Sequence, residues 1–234
     1  MTLDALRREV LEANRELIRR NLVIYTFGNA SGFWREKGLV VIKPSGVPFE
    51  ELAPEKMVVS DLDGQVVEGD LRPSSDLATH IEIYRAFDGA GGVTHSHSTY
   101  ATAWAQAARE IPCFGTTQAD YCRGPVPITA ALPAAEIAGD YERNTGRAIV
   151  RRFDGLSPRE APWVLVHGHG PFTWGESPAE AVFHAVILEE VARLAWLTAS
   201  LNPAAEPLPP VHIDRHFLRK HGPKATYGQP GYQK

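Results

Sequence analysis

The histidines of this chain recur in two matching settings. Residues 91–100 read GGVTHSHSTY and residues 163–172 read WVLVHGHGPF, so two apolar runs each end in histidines two positions apart: His95 and His97, then His167 and His169. If each run is a strand, the side-chain period of two turns both histidines of a pair to one face, within reach of one cation. One such pair is also an ordinary polar strand end, but two of them closing two buried runs point to a shared metal site. Spacing leaves open whether His167 or His169 belongs to it. Three imidazoles suit zinc and admit other first-row divalent ions. His80 and His184 fall in helical patterns and read as packing residues, while His212, His216 and His221 lie in the tail.

Three short loops carry a second kind of chemistry. Gly28-Asn29 precedes Ser31, Lys43-Pro44-Ser45-Gly46 follows an apolar run, and Ser74-Ser75-Asp76 stands where a helix should begin. Free backbone N–H groups and hydroxyls at such positions favour phosphate, and Lys43 adds positive charge. Any one of these loops is ordinary turn chemistry; the three together suggest an anion cradle. Asp76 has two readings, a helix cap or a carboxylate serving the metal as ligand or orienting partner.

The elements that must position these groups follow from periodicity. Leu3, Leu6, Val10, Leu17 and Ile18 predict an amphipathic first helix ending near Asn21. Strands are predicted at LVIYTF (22–27) and GLVVIKPSG (38–46), separated by a GNASG turn, and MVVSDLDGQVVEG predicts a hairpin around Asp63-Gly64. A helix should start near Ser75 or Asp76, followed by a strand at GGVTHSH, a helix at YATAWAQAA and an irregular stretch over 111–129. Residues 132–146 read as a helix closed by Gly146, and AIVRRF and WVLVHGHG as strands. Ser177, Pro178 and Glu180 open a long helix by a capping box, with Val182, Phe183, Val186, Ile187, Val191 and Leu194 on its apolar face. The linker NPAAEPLPP and the basic tail DRHFLRKHGPK close the chain.

With 234 residues, 44% of them hydrophobic, the chain can bury one substantial core, and a single domain over 1–234 is expected. A formal charge of −4 without basic blocks speaks against nucleic acid and membrane surfaces as partners and favours a small soluble ligand. Only Cys113 and Cys122 are present, which fits structural thiols in a reducing compartment. The charged N-terminus lacks a signal core, and no run reaches the roughly 18 apolar residues of a membrane span, so a cytoplasmic location is expected.

GNAS, KPSG, PSSD, THSH, TTQADY, LVHGHGPF and RKHGPKATYGQ stand in this order along the chain, which over nearly its whole length resembles the class II aldolase and epimerase family. The resemblance implies an α/β fold, a central mainly antiparallel β-sheet flanked by helices, assembled as a homotetramer with active sites at subunit interfaces. It implies that His95, His97 and His169 bind Zn2+ or another divalent metal with Asp76 beside them, choosing His169 over His167. Gly28, Asn29, Lys43, Ser45, Gly46, Ser74 and Ser75 match positions that bind a phosphorylated pentulose, with His216 and Arg219 bordering the site. Asp120 and Tyr227 match the proton-transferring pair; which subunit supplies them is left open. The implied reaction is inversion at carbon 4 of the pentulose by breaking and re-forming the C3–C4 bond; a class II aldolase on a related sugar phosphate is the alternative. One departure stands out: Gln118 replaces the histidine of a TTHADY motif. A metal hydrolase is less favoured, because HSHSTY lacks both a following Asp-His and the nearby glutamate of cupin sites. A non-catalytic sugar-phosphate sensor is disfavoured by the acid/base candidates.

Overall fold

The structure, a computed structural model, describes residues 2–223, 225 and 226. In chain order the elements are α1 (Leu3–Arg19), β1 (Asn29–Trp34), β2 (Leu39–Ile42), β3 (Val58–Asp61), β4 (Val66–Glu68), α2 (Leu77–Ala86), β5 (Gly92–His95), α3 (Thr99–Gln106), α4 (Thr116–Ala119), α5 (Ala134–Ala138), α6 (Tyr141–Arg152), β6 (Trp163–Leu165), β7 (Pro171–Gly175), α7 (Pro178–Leu201) and α8 (Pro210–His221). The strands form one seven-stranded sheet in the order β4-β3-β2-β1-β5-β7-β6. All six named pairings are antiparallel. The expected antiparallel sheet flanked by helices is therefore present.

Both faces of the sheet are covered, which is why β2 reads as an unbroken apolar run rather than an alternation. Val40 and Ile42 join Leu77, Ile81, Tyr84, Ile149 and Phe153 on one side, packed by α2 and α6. Val41 turns to the other side, against Leu6, Val10 and Leu11 of α1. Such side chains contribute about 1.5–3 kcal/mol each on full burial. α7 closes that second face and starts as the capping box requires, with Glu180 N–H donating to Ser177 Oγ at 3.2 Å.

Five sequence-based expectations fail locally. LVIYTF is not a strand: Ile24, Tyr25 and Phe27 are 64%, 85% and 56% exposed, and Asn21 and Tyr25 take positive φ. The strand is instead NASGFW, whose polar Asn29 and Ser31 are buried. At Ala30 the β2 side of the sheet is open, since β2 pairs only with Ser31–Trp34. Asn14 of α1 fills the gap, its Oδ1 accepting Ala30 N–H at 2.9 Å and its Nδ2 donating to Ala30 O at 3.0 Å. AIVRRF, expected as a strand, continues α6. Gly146 does not end a helix but sits inside α6, where a Cβ would lie 2.7 Å from Glu82 Cβ; it permits close packing of α6 on α2. The strands holding the histidines are shorter than predicted, ending at His95 and Leu165, and the tail DRHFLRKH belongs to helix α8.

Candidate metal centre

The register of the sheet assembles the site. In β5, His95 faces Asn29 of β1 on one side and Phe172 of β7 on the other, so the end of β5 lies among loops from both neighbours. Gly28, at φ +82°, permits the approach of the β1 loop, because a Cβ there would lie 2.7 Å from the His95 carbonyl oxygen. After β6, Gly168 at φ +68° turns the chain, so His167 and His169 do not share a direction. His167 is exposed, and its N–H donates to Thr129 Oγ1 at 3.0 Å. His169 folds back to His95, with ring centroids 4.7 Å apart.

His95, His97 and His169 bring one nitrogen each to within 4.8 Å of the others. His95 Nδ1–H donates to Pro171 O at 3.0 Å, which fixes its tautomer and leaves Nε2 as an acceptor. His95 Nε2 and His97 Nε2 are 3.1 Å apart. At this separation either the His97 Nε2–H donates to the His95 lone pair or both lone pairs face one cation. Two nitrogens on one tetrahedral cation at the usual bond length stand about 3.3 Å apart, so the donor set fits a divalent metal. The buried Nδ1 of His169 has no hydrogen-bond partner among the described residues.

Burial, reinforced by the neighbouring imidazoles, lowers the His169 pKa to about 4, and His97 is lowered for the same reasons. Both stay neutral near pH 7, the form that binds metal. Asp76 stands beside the group rather than within it. It occupies the N-cap position of α2 but makes no capping hydrogen bond. Its Oδ2 instead accepts from Asn29 Nδ2 at 2.6 Å. Burial alone would raise its pKa, but the fields of His95 and His80, the Asn29 hydrogen bond and His169 together hold it below the usual carboxylate range.

His80 is fully buried, which lowers its pKa from 6.5 to about 3. As pH falls from 6.5 towards 3, the unfolded chain takes up a proton that the folded chain refuses. The metal-free protein is therefore expected to lose stability on acidification by up to about 1.4 kcal/mol per pH unit from this group. Urea titrations at pH 7 and pH 5 check it; equal midpoints at both would contradict the assignment.

The three polar loops converge beside the histidines. Ser74 N–H donates to Lys43 O, Ser45 N–H donates to Arg72 O, and Asn29 Nδ2 donates to Ser74 Oγ at 3.0 Å. These bonds tie the chain at Asn29, Lys43, Ser45 and Ser74 together, and Gly46 turns the chain at φ +68°. The Lys43 side chain is buried, its Nζ 4.7 Å from the Phe49 ring centroid and 3.3 Å from Pro44 O, and burial lowers its pKa. Lys43→Met is expected to raise KM for a sugar phosphate about 10–100-fold, the value of one charge-assisted hydrogen bond. Inorganic phosphate, as a competitive inhibitor, should weaken in parallel; unchanged inhibition would remove Lys43 from the cradle.

Asp120 lies in a different setting. Arg219 grips it through Nε at 3.0 Å and Nη2 at 2.7 Å, while His216 Nδ1 reaches it at 3.0 Å and Lys220 Nζ at 3.6 Å. Burial would raise its pKa, but the Arg219 and His216 hydrogen bonds and the Lys220 charge prevail and lower it. Asp120, at the end of α4, is thus gripped by His216 and Arg219 of α8, and among the described residues no hydrogen bond or ion pair joins this cluster to the three histidines. Tyr227 lies outside the described residues. Gln118 is buried, donating to Ile111 O at 3.3 Å and Gly124 O at 2.9 Å, so it clamps the backbone around Asp120. Sequence reasoning overlooked two rings at the centre: Tyr141, 6.3 Å from His169, and Phe27, 6.2 Å from His97. No spacing signal marked either one.

Residues 8–196 match the family described as Class II Aldolase and Adducin N-terminal domain. L-ribulose-5-phosphate 4-epimerase UlaF from Salmonella paratyphi B is 50% identical over 227 residues, spanning 97% of this chain and 100% of the relative. The protein of the same name from Salmonella typhi shares 50% identity over the same shares of both chains. Among solved structures, an L-fuculose 1-phosphate aldolase superposes with a TM-score of 0.79 at 25% identity, covering 91% of this chain and 94% of that one. The L-fuculose-1-phosphate aldolase of Thermus thermophilus gives 0.67 at 25% identity, over 85% and 97%.

Proposed function

The chain belongs to the class II aldolase and adducin N-terminal domain family, and on that premise we propose that it is a metal-dependent epimerase converting L-ribulose 5-phosphate to D-xylulose 5-phosphate. The observation that carries this reading is the convergence of a three-imidazole donor set with the Asn29, Lys43 and Ser74 loops at one end of β5. The likeness to relatives named for this activity agrees with it.

The chemistry explains why an epimerase needs such a site. The hydrogen on carbon 4 is not next to the carbonyl, so direct deprotonation there is too slow. Cleavage and re-formation of the C3–C4 bond avoid that step. A divalent cation, zinc in our reading, would supply Lewis-acid stabilisation of the charge that develops on the substrate's oxygens. His95, held by Pro171 O, and His97 and His169 would hold that ion, with Asp76 orienting at its edge. Lys43, Ser45, Gly46, Ser74 and Ser75 would retain the phosphate, so that the fragment can turn its other carbonyl face without escaping. Asp120, ionised by its Arg219 clamp, would move the proton of the carbon 4 hydroxyl on one face, and Tyr227 on the other.

We read residues 1–234 as one functional unit working as a homotetramer with sites at subunit boundaries, which would bring Asp120 of one chain to the histidines of another. Exposed Phe27 beside His97, and Phe183 and Trp196 on α7, support an assembled form. The buried free thiols of Cys113 and Cys122, raised by burial to about 11 and about 12, favour the cytoplasm. The test is incubation of zinc-loaded protein with L-ribulose 5-phosphate and stereochemical resolution of the products. D-xylulose 5-phosphate is expected. Accumulated two- and three-carbon fragments would make the protein an aldolase, the reading favoured by its structural neighbours, and released inorganic phosphate would overturn both.

A further inference from the structure

β5 ends at His95 and β7 begins two residues after His169, so two of the three imidazoles lie at the ends of paired strands. His97 does not. It stands beyond β5 and is exposed, and before it Ser96 N–H reaches Pro171 O only at 3.4 Å. Two residues after it, α3 begins. Whatever fixes the start of α3 therefore fixes the backbone that carries His97. Ser98 holds the N-cap position and its carbonyl accepts Thr102 N–H at 2.9 Å, but its side chain makes no capping hydrogen bond. The N–H groups that a cap residue ordinarily serves go instead to α7. Tyr100 N–H donates to Glu189 Oε1 at 2.8 Å, and Ala101 N–H donates to Glu189 Oε2 at 3.0 Å. A carboxylate forked over the first turn of a helix also meets the positive end of its dipole. α7 is in turn seated on the strands beside the other two imidazoles. A Cβ at Gly92 of β5 would lie 2.4 Å from Pro178 N, and Thr173 Oγ1 of β7 donates to Ala181 O at 2.7 Å. A cap from Ser98 would stabilise α3 alone; the cap from Glu189 also sets the start of α3 against the frame that holds His95 and His169.

We propose that Glu189 is a positioning residue for His97: by bridging α7 to the first turn of α3, its carboxylate sets where His97 meets His95 and His169. The inference rests on the reading of these histidines as metal ligands. A second bond between the same helices supplies a contrast, since Trp104 Nε1 donates to Ala192 O at 3.0 Å. Both dock α3 on α7, but of the two only the Glu189 bridge adjoins His97.

Cobalt titration of the metal-free protein, followed by visible absorption and paired with urea unfolding, tests it. Glu189→Gln turns one acceptor oxygen into an N–H donor facing a backbone N–H, which breaks the fork while keeping its shape. It should weaken cobalt binding about 10-fold and shift the absorption bands. Trp104→Phe should lower the urea midpoint yet leave cobalt affinity within about twofold of the parent and the bands unchanged. Parent-like affinity and bands in Glu189→Gln would overturn the proposal. So would equal changes in both variants, which would make the docking of α3 as a whole the cause. If Glu189→Gln does not fold, Glu189→Asp, which keeps the charge but falls one methylene short, should weaken cobalt binding and shift the same bands; no change in either overturns the proposal. A parent that binds cobalt but does not epimerise L-ribulose 5-phosphate fails the functional reading, while the cobalt comparison still decides the role of Glu189. A parent that takes up no cobalt overturns both.

Discussion

Replacing His169 with alanine is expected to lower divalent-metal affinity more than about 100-fold and to take turnover below about one hundredth of the parent value, whereas His167→Ala leaves both within about twofold. The two residues are separated only by Gly168, whose positive φ turns the chain between them. His169 offers a nitrogen to the same point as His95 and His97. His167 stands exposed, its backbone N–H donated to Thr129 Oγ1. Fold loss is not the cause of the expected effect, since His169 sits in a turn and takes no part in the sheet ladder. Metal content after dialysis, read beside circular dichroism, separates the cases; full zinc occupancy in His169→Ala would remove it from the ligand set.

Asp120→Asn is expected to cost about 100- to 10,000-fold in kcat while metal content stays at the parent level. The amide keeps the shape of the side chain but cannot take a proton, and it loses the charge that Arg219, His216 and Lys220 surround. Among the described residues this cluster makes no hydrogen bond or ion pair with the histidines of its own chain, and in the tetramer proposed above its partner site is expected across a subunit boundary. Mixing Asp120→Asn chains with His169→Ala chains, each inactive alone, should then restore about a quarter of the parent activity, the share of boundaries at which both intact halves meet. Recovery of nothing from demonstrably mixed oligomers would place Asp120 and the metal in one chain, or Asp120 outside the reaction.

Legibility in the sequence followed the locality of the cause. The long α7 helix was visible because its cap, Ser177 with Glu180, and its apolar spacing are both local. The hairpin at Asp63-Gly64 was visible for the same reason, with β3 and β4 on either side. β1 was not, because its buried polar residues are satisfied from afar: Asn14 holds Ala30, and His80 and Tyr84 hold Ser31. Gly146 looked like a helix end because its true role, contact with Glu82 across α2 and α6, leaves no trace in neighbouring residues.

Residue type and short spacing carry the chemistry: two histidine pairs closing two apolar runs, three polar loops in order, and a tail rich in cations. Tertiary structure alone decided which of those groups meet. It brought His169 rather than His167 to His95 and His97 through a turn at Gly168, drew Asp76 from a cap to a hydrogen bond with Asn29, and gathered Asp120 with α8. The reason is geometric. Spacing specifies a side chain's direction only while the backbone stays regular, and every one of these residues lies at or just beyond the end of an element, where long-range packing aims it.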